Sequence, residues 1–313
     1  MDISAIILTA FGLCLFEVIS SIDNAVVNAD VLSTMSKKAR GWFLFYGLLF
    51  AVFVVRGLLP LAIIWATNSS LGFVGALTAT FSNNPIVKES IAASTPILLS
   101  GGGIFLLFLF LHWLFAESKE FGLFGERFFS RQSIWFFAAA SVILTIIVWL
   151  SLNKNSYMTL GAVIGSTAFF ITNGFKQNAD IAEKHLMRNK TGMSDISKIL
   201  YLEILDMTFS IDGVLGAFAF TLSVPLIILG NGLGALVVRQ LTVRNIDVIK
   251  KYVFIKNGAM YSIFFLGVIM LLESFGVDIP TWIAPIMTFF IIGYFVWKSR
   301  SYIKKMERDI EKI

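Results

Sequence analysis

Residues 16–27 read FEVISSIDNAVV, and the solvent around them decides the fold. The approach, IILTAFGLCLF from Ile6 to Phe16, is apolar, yet Glu17, Ser20, Ser21, Asp23 and Asn24 follow at once. A helix in water carries such residues on its wet face. A helix in lipid does so only for a reason, because a charge at the bilayer centre costs about 2.5–3.5 kcal/mol on an insertion scale. Composition selects lipid. The chain is 57% hydrophobic and 14% charged, with 31 phenylalanines, where a soluble chain carries about 25% charged residues.

Apolar runs long enough for a bilayer core of about 30 Å recur along the whole length. They place about nine spans at Ile3–Leu32, Gly41–Thr67, Pro96–Ala116, Ile134–Leu152, Tyr157–Phe175, Ile199–Ser223, Val224–Leu241, Val253–Phe275 and Thr281–Trp297. The fold class is therefore an all-α polytopic membrane protein. Residues 69–95 form a loop whose short apolar patch, LGFVGALTATF, is re-entrant or interfacial at most. No basic leader precedes the first span, so no removable signal peptide is expected. The lone Cys14 excludes an internal disulfide framework.

Lysines and arginines set the orientation. Of 25, 20 fall after spans 1, 3, 5 and 7 or in the C-terminal tail, including Lys176 and the rest of the loop 176–198. Lys88 and Lys154 alone fall on the other side, and Arg56, Arg239 and Lys256 lie in or near spans. By the positive-inside rule the chain is multi-pass in the plasma (inner) membrane, N-terminus outside and C-terminus cytoplasmic. That placement also explains the net charge of +5 without nucleic acid.

The opening motif recurs. Glu17-x3-Ser21-Ile22-Asp23 matches Asp206-x3-Ser210-Ile211-Asp212; Gly47 and Arg56 match Gly230 and Arg239, each arginine preceded by Val-Val; GGGIFLLFLFL from Gly101 matches NGAMYSIFFLG from Asn257. Spans 1–3 and 6–8 thus read as one duplicated unit. Their odd offset makes it an inverted repeat, the plan of many secondary transporters, whose substrate sites lie near the midplane. Within a single transmembrane domain, 1–313, the halves are 1–116 and 199–275, joined by 117–198 and followed by the last span and tail, 276–313.

Glu17, Ser21, Asn24 and Asn28 share one helical face. Asp23 lies about 120° away, so either the helix unwinds near it or it serves a second partner. Gly213 and Gly216 permit a similar break after Asp212. Arg56, deep in span 2, is expected to pair with an acid when no cation is bound, whereas Arg239 has either a site role or a headgroup contact.

The two motifs, FEVISSIDNAVV and LEILDMTFSIDGVLGAFAF, resemble the signatures of the TerC family of integral membrane proteins. The resemblance covers essentially the whole chain. It implies a LysE-like exporter architecture linked to manganese or calcium efflux and to tellurium resistance. By position it implies Glu17, Asp23, Asn24, Asp206 and Asp212 as metal site residues, with Ser21, Ser210 and Glu203 in support. Two departures stand out: Gly213 replaces the asparagine of the first half, and Glu203 is an acid of the second half alone.

Oxygen donors of this kind suit Mn²⁺, Ca²⁺ or Mg²⁺ rather than zinc or copper, and Mn²⁺ or Ca²⁺ is the transported ion expected. His112, His185 and the methionines read as packing or solvated groups, with Met207 bordering the site. No tightly bound cofactor is expected. Nor is an enzyme, since Ser20, Ser21 and Ser210 have no histidine at similar depth. Clustered carboxylates repel, so at least one keeps a proton in the absence of cation. The expected function is export of a hard divalent cation in exchange for protons, through Asp23 and Asp212, with room for a homo-oligomer. The alternative is a TerC-type membrane scaffold or assembly factor without transport.

Overall fold

The computed structural model describes residues 3–47, 49–50, 54, 57–67, 85–119, 121–188, 194–244 and 251–310. Among them every regular element is helical. Helix α1 (Ile3–Ser20) meets α2 (Ile22–Ser33) at Ser21, whose φ of −91° and ψ of 3° depart from helical values. Backbone hydrogen bonds still bridge the joint, from Ser21 N to Glu17 O at 3.1 Å and from Ala25 N to Ser21 O at 2.9 Å. Ser20 also donates its hydroxyl back to Glu17 O at 3.3 Å. Such back-bonding bends helices. Span 1 is accordingly a jointed rod.

Next come α3 (Lys37–Trp42), capped by the Ser36 hydroxyl, which accepts from Ala39 N, and a π-helical turn at Phe43–Gly47. Then follow α4 (Leu59–Thr67), α5 (Pro85–Ala116), α6 (Phe124–Phe129), α7 (Trp135–Leu152) and α8 (Ser156–Arg188). The chain ends with α9 (Asp195–Ala217), α10 (Val224–Arg244), α11 (Ile255–Ser274) and α12 (Ile283–Ile310).

Among the described residues, six stretches are long and apolar enough to cross a membrane: α1, α7 and α11 whole, and parts of α5, α8 and α10. Helix α9 misses that standard because it carries Glu203, Asp206 and Asp212, and α12 because its apolar part runs into Lys298 and Arg300. Large apolar side chains exposed on α7 (Trp135, Phe137 and Trp149) and on α12 (Phe289, Phe290 and Trp297) make lipid the natural surrounding.

Three expectations are corrected. Helix α5 begins at Pro85 and runs through Pro96, so part of the supposed loop 69–95 is helical; the patch LGFVGALTATF lies outside the described residues. The loop 176–198 is largely helix, since α8 continues to Arg188. Helix α9 runs unbroken past Gly213 and Gly216 to Ala217.

The centre is built from α5, which packs on α8 and α11. At the α5–α8 crossing a Cβ on Gly101 would lie 2.8 Å from Gly161 O, so the two backbones touch, as small-residue motifs allow in membranes. Ser100 donates across it to Met158 O at 2.8 Å. At the α5–α11 crossing a Cβ on Gly103 would lie 3.0 Å from Gly267 O, and one on Gly267 would lie 3.2 Å from Gly103 O. Beside this centre α1 lies against α10 and α9, which sets the acids of α1 and α9 between helices instead of in lipid.

Candidate functional site

Glu17, Ser21 and Asn24, on one face of the jointed α1–α2 rod, are 1%, 8% and 3% exposed. The Ser21 hydroxyl donates to Glu17 Oε1 at 2.8 Å. One turn on, Asn24 Nδ2 donates to Asp206 Oδ1 of α9 at 2.5 Å. Donation to a carboxylate is the stronger kind of hydrogen bond, and this one joins the two motif-bearing helices directly. Ser210 turns its hydroxyl back to Asp206 O at 2.6 Å, which satisfies that hydroxyl within α9.

Around the Asn24–Asp206 contact lies a cleft of about 30 Å³, bounded by Ser21, Asn28, Arg239, Thr242 and the π-turn residue Phe43 among others. About 10–15 Å³ admits one water, so a small ion with a water or two fits. Asn24 Oδ1 and Asn28 Oδ1 are buried without a hydrogen-bond partner. Two uncommitted amide oxygens beside a carboxylate form a hard acceptor set, the kind that suits a divalent cation.

Glu17 sits beside this cleft, held between α9 and α10. A Cβ on Gly213 would lie 2.8 Å from Glu17 Oε2, and one on Gly234 would lie 2.6 Å from Glu17 Cβ. The first contact explains a departure seen in the sequence. An asparagine at 213, matching Asn24, would occupy the space that the Glu17 carboxylate fills.

Asp212 does not join the cleft. Six residues beyond Asp206, it projects about 120° away around α9 and pairs with Lys176 of α8. Its other oxygen, Oδ1, is buried without a hydrogen-bond partner. Asp23 has the same offset from Glu17; it belongs to α2, but its side chain is outside the described residues, as is Arg56. The expected five-residue metal set is thus divided. Asn24 and Asp206 touch, Glu17 is adjacent, and Asp212 faces another helix. Among the described residues no three His, Cys, Asp or Glu side chains gather as a metal centre would require.

Arg239 lies against the π-turn. Its Nη2 donates to Phe43 O at 2.5 Å, and its guanidinium lies 4.3 Å from the Phe43 ring centroid. Glu203 joins it against the π-turn, since a Cβ on Gly47 would collide with Glu203 Oε1 and lie 2.9 Å from Arg239 Nη2. Met207 is 42% exposed on another face of α9 and does not border the cleft. His112 stacks edge-on against Phe136 as a packing group. The side chain of His185 is outside the described residues.

Lys176 is the residue that sequence reasoning assigned elsewhere. It follows the apolar run of span 5 and reads as the start of a solvated loop; its pairing is set by a tertiary contact. At the other end of α9 a larger cavity of about 290 Å³ is lined by Thr95, Phe218, Phe220, Thr281 and Glu273 among others. Phe220 also meets Phe16, ring centroids 5.8 Å apart. That aromatic pair links the cavity wall to the turn of α1 that carries Glu17.

A family model described as a protein of unknown function, DUF475, matches residues 22–306. No curated protein matches the chain, and no solved structure does.

Proposed function

For a chain that belongs to the DUF475 family, we propose secondary transport: export of a hard divalent cation, Mn²⁺ or Ca²⁺, in exchange for protons. The observation that carries this is the buried Asn24–Asp206 contact beside a small cleft, with the amide oxygens of Asn24 and Asn28 uncommitted. Buried polar groups without partners are costly. A scaffold has no use for them in a membrane, whereas a cation that comes and goes satisfies them in turn.

The reading includes nine spans and an inverted repeat, with the N-terminus outside. It is supported by the meeting of corresponding elements: α5 and α11 touch at Gly103 and Gly267, and the first motif meets the second through Asn24 and Asp206. In this orientation the Asn24 cleft opens toward the cytoplasm and the Glu273 cavity toward the outside. In this reading the Phe16–Phe220 pair closes the outer path, which supports an inward-facing or occluded carrier. The resemblance to the TerC family points the same way.

Exporting a divalent ion against an inside-negative potential requires about 4.6 kcal/mol per 100 mV. The chain carries no Walker motif of the G-x-x-x-x-G-K-[ST] type, so ATP is not the source. Entering protons are, carried by the buried acids, with Asp23 and Asp212 as the exchanging pair. The test is Mn²⁺ and Ca²⁺ flux in proteoliposomes with wild type, Asp206→Asn and Asn24→Leu. Wild-type flux lost in both variants is expected. Full flux in either variant would remove the cleft from the path.

A further inference from the structure

The Lys176–Asp212 pair has no part in the cleft, yet it holds one of the motif aspartates. The ammonium of Lys176 reaches Asp212 Oδ2 from α8, and the two side chains are 15% and 10% exposed. Removing one partner of such a part-buried pair leaves the other charge uncompensated. Asp212 keeps a second oxygen, Oδ1, buried and without a hydrogen-bond partner. On the α8 side a void of about 10 Å³ is lined by Thr172, Asn173 and Lys176 with Phe105, Leu109 and Phe169. That is about one water in size, and it gives a displaced ammonium two polar neighbours on a long, flexible stem.

We propose that Lys176 is a specificity-determining residue: its ammonium is a tethered monovalent cation that a transported ion must displace from Asp212, which favours divalent over monovalent ions. The inference rests on the transport reading and adds selectivity to it. A sodium or potassium ion that takes the ammonium's place exchanges one unit charge for another and gains little. A divalent ion brings twice the charge to the same carboxylate and also uses the free Oδ1. The displaced lysine turns toward Thr172 and Asn173, and its return to Asp212 helps to expel the ion later.

The experiment is equilibrium binding of radioactive Mn²⁺ to the purified full-length protein in detergent. Excess NaCl is the competitor, and N-methyl-D-glucamine chloride controls for screening. Wild type is compared with Lys176→Met and Lys176→Arg. Wild-type binding is indifferent to Na⁺. Lys176→Met binds Mn²⁺ roughly tenfold tighter or more, the factor that loss of 1.4 kcal/mol of competition implies, and Na⁺ now competes. Lys176→Arg shifts the other way, because a guanidinium grips a carboxylate through two parallel bonds. If Lys176→Met does not purify as a single species, Lys176→Arg decides alone, and affinity equal to or tighter than wild type overturns the proposal. Wild-type and Lys176→Met proteins with the same affinity and the same indifference to Na⁺ overturn the selectivity role and leave transport standing. No Mn²⁺ binding by any of the three removes both.

Discussion

Adding one methyl group at Gly234 tests how tightly α1 and α10 hold Glu17. A Cβ there would lie 2.6 Å from Glu17 Cβ and 2.8 Å from both Glu17 Cγ and Cys14 O. Ordinary contact begins at 3.4 Å, so the shortfall is about 0.8 Å against the closest atom. The Cys14 carbonyl is backbone inside α1 and cannot rotate aside, and Gly230, one turn away, is equally close to Leu13 Cβ at 2.5 Å. The helices must therefore separate, and Glu17 must move with α1. Overpacking of this kind costs about 1–3 kcal/mol, which corresponds to a fall in melting temperature of about 2–10 °C. The assay is thermal unfolding of Gly234→Ala in detergent, followed by tryptophan fluorescence. Gly293→Ala is the control, because nothing lies within 4 Å of a Cβ at that position; it should hold or raise the melting temperature, as alanine outdoes glycine inside a helix. Equal melting temperatures for wild type and Gly234→Ala would refute the close α1–α10 contact and the fixed seat of Glu17.

Asn24→Asp replaces the amide on Asp206 with a second carboxylate. It should lower the stability in chelator by about 1.5–3 kcal/mol of lost charge-assisted bonding, and Mn²⁺ at a hundred times its Kd should restore about 2.7 kcal/mol; a melting temperature deaf to Mn²⁺ would argue against a cation in the cleft. Outside the cleft, Glu126 is 1% exposed and accepts from Leu123 N at 3.0 Å and from Asn257 Nδ2 at 2.6 Å. Asn257→Leu should therefore destabilise by about 1.5–3 kcal/mol in the same assay while leaving cation flux per folded molecule unchanged, and an unaltered melting temperature would show that the carboxylate finds another donor.

Much of this arrangement is legible in the sequence, for a physical reason. Lipid penalises every unsatisfied polar group, so the acids and amides that remain in apolar runs mark helix contacts. The shared face of Glu17, Ser21, Asn24 and Asn28 follows from helical spacing alone, and the recurrence of Ser-Ile-Asp points to Asp206 and Asp212 as the counterparts of Glu17 and Asp23. What the spacing leaves open is the partner on the next helix. Asp212 turns to Lys176 because α8 continues beyond its apolar run, and no local signal separates such a helix from a loop. Gly213 reads as a hinge, yet it serves as empty space for a carboxylate from another helix. Likewise nothing in the spacing places the π-turn at Phe43 beside Arg239.

Cation and proton movement recorded together in sealed proteoliposomes, with an interior pH dye, a Mn²⁺-quenched dye and a clamped potential, separates an antiporter from a scaffold. The account predicts that a Mn²⁺ or Ca²⁺ gradient drives protons the opposite way, two or more per ion, and that Asp206→Asn abolishes both signals. Divalent movement with no linked proton movement, or neither movement in intact wild-type protein, would contradict it.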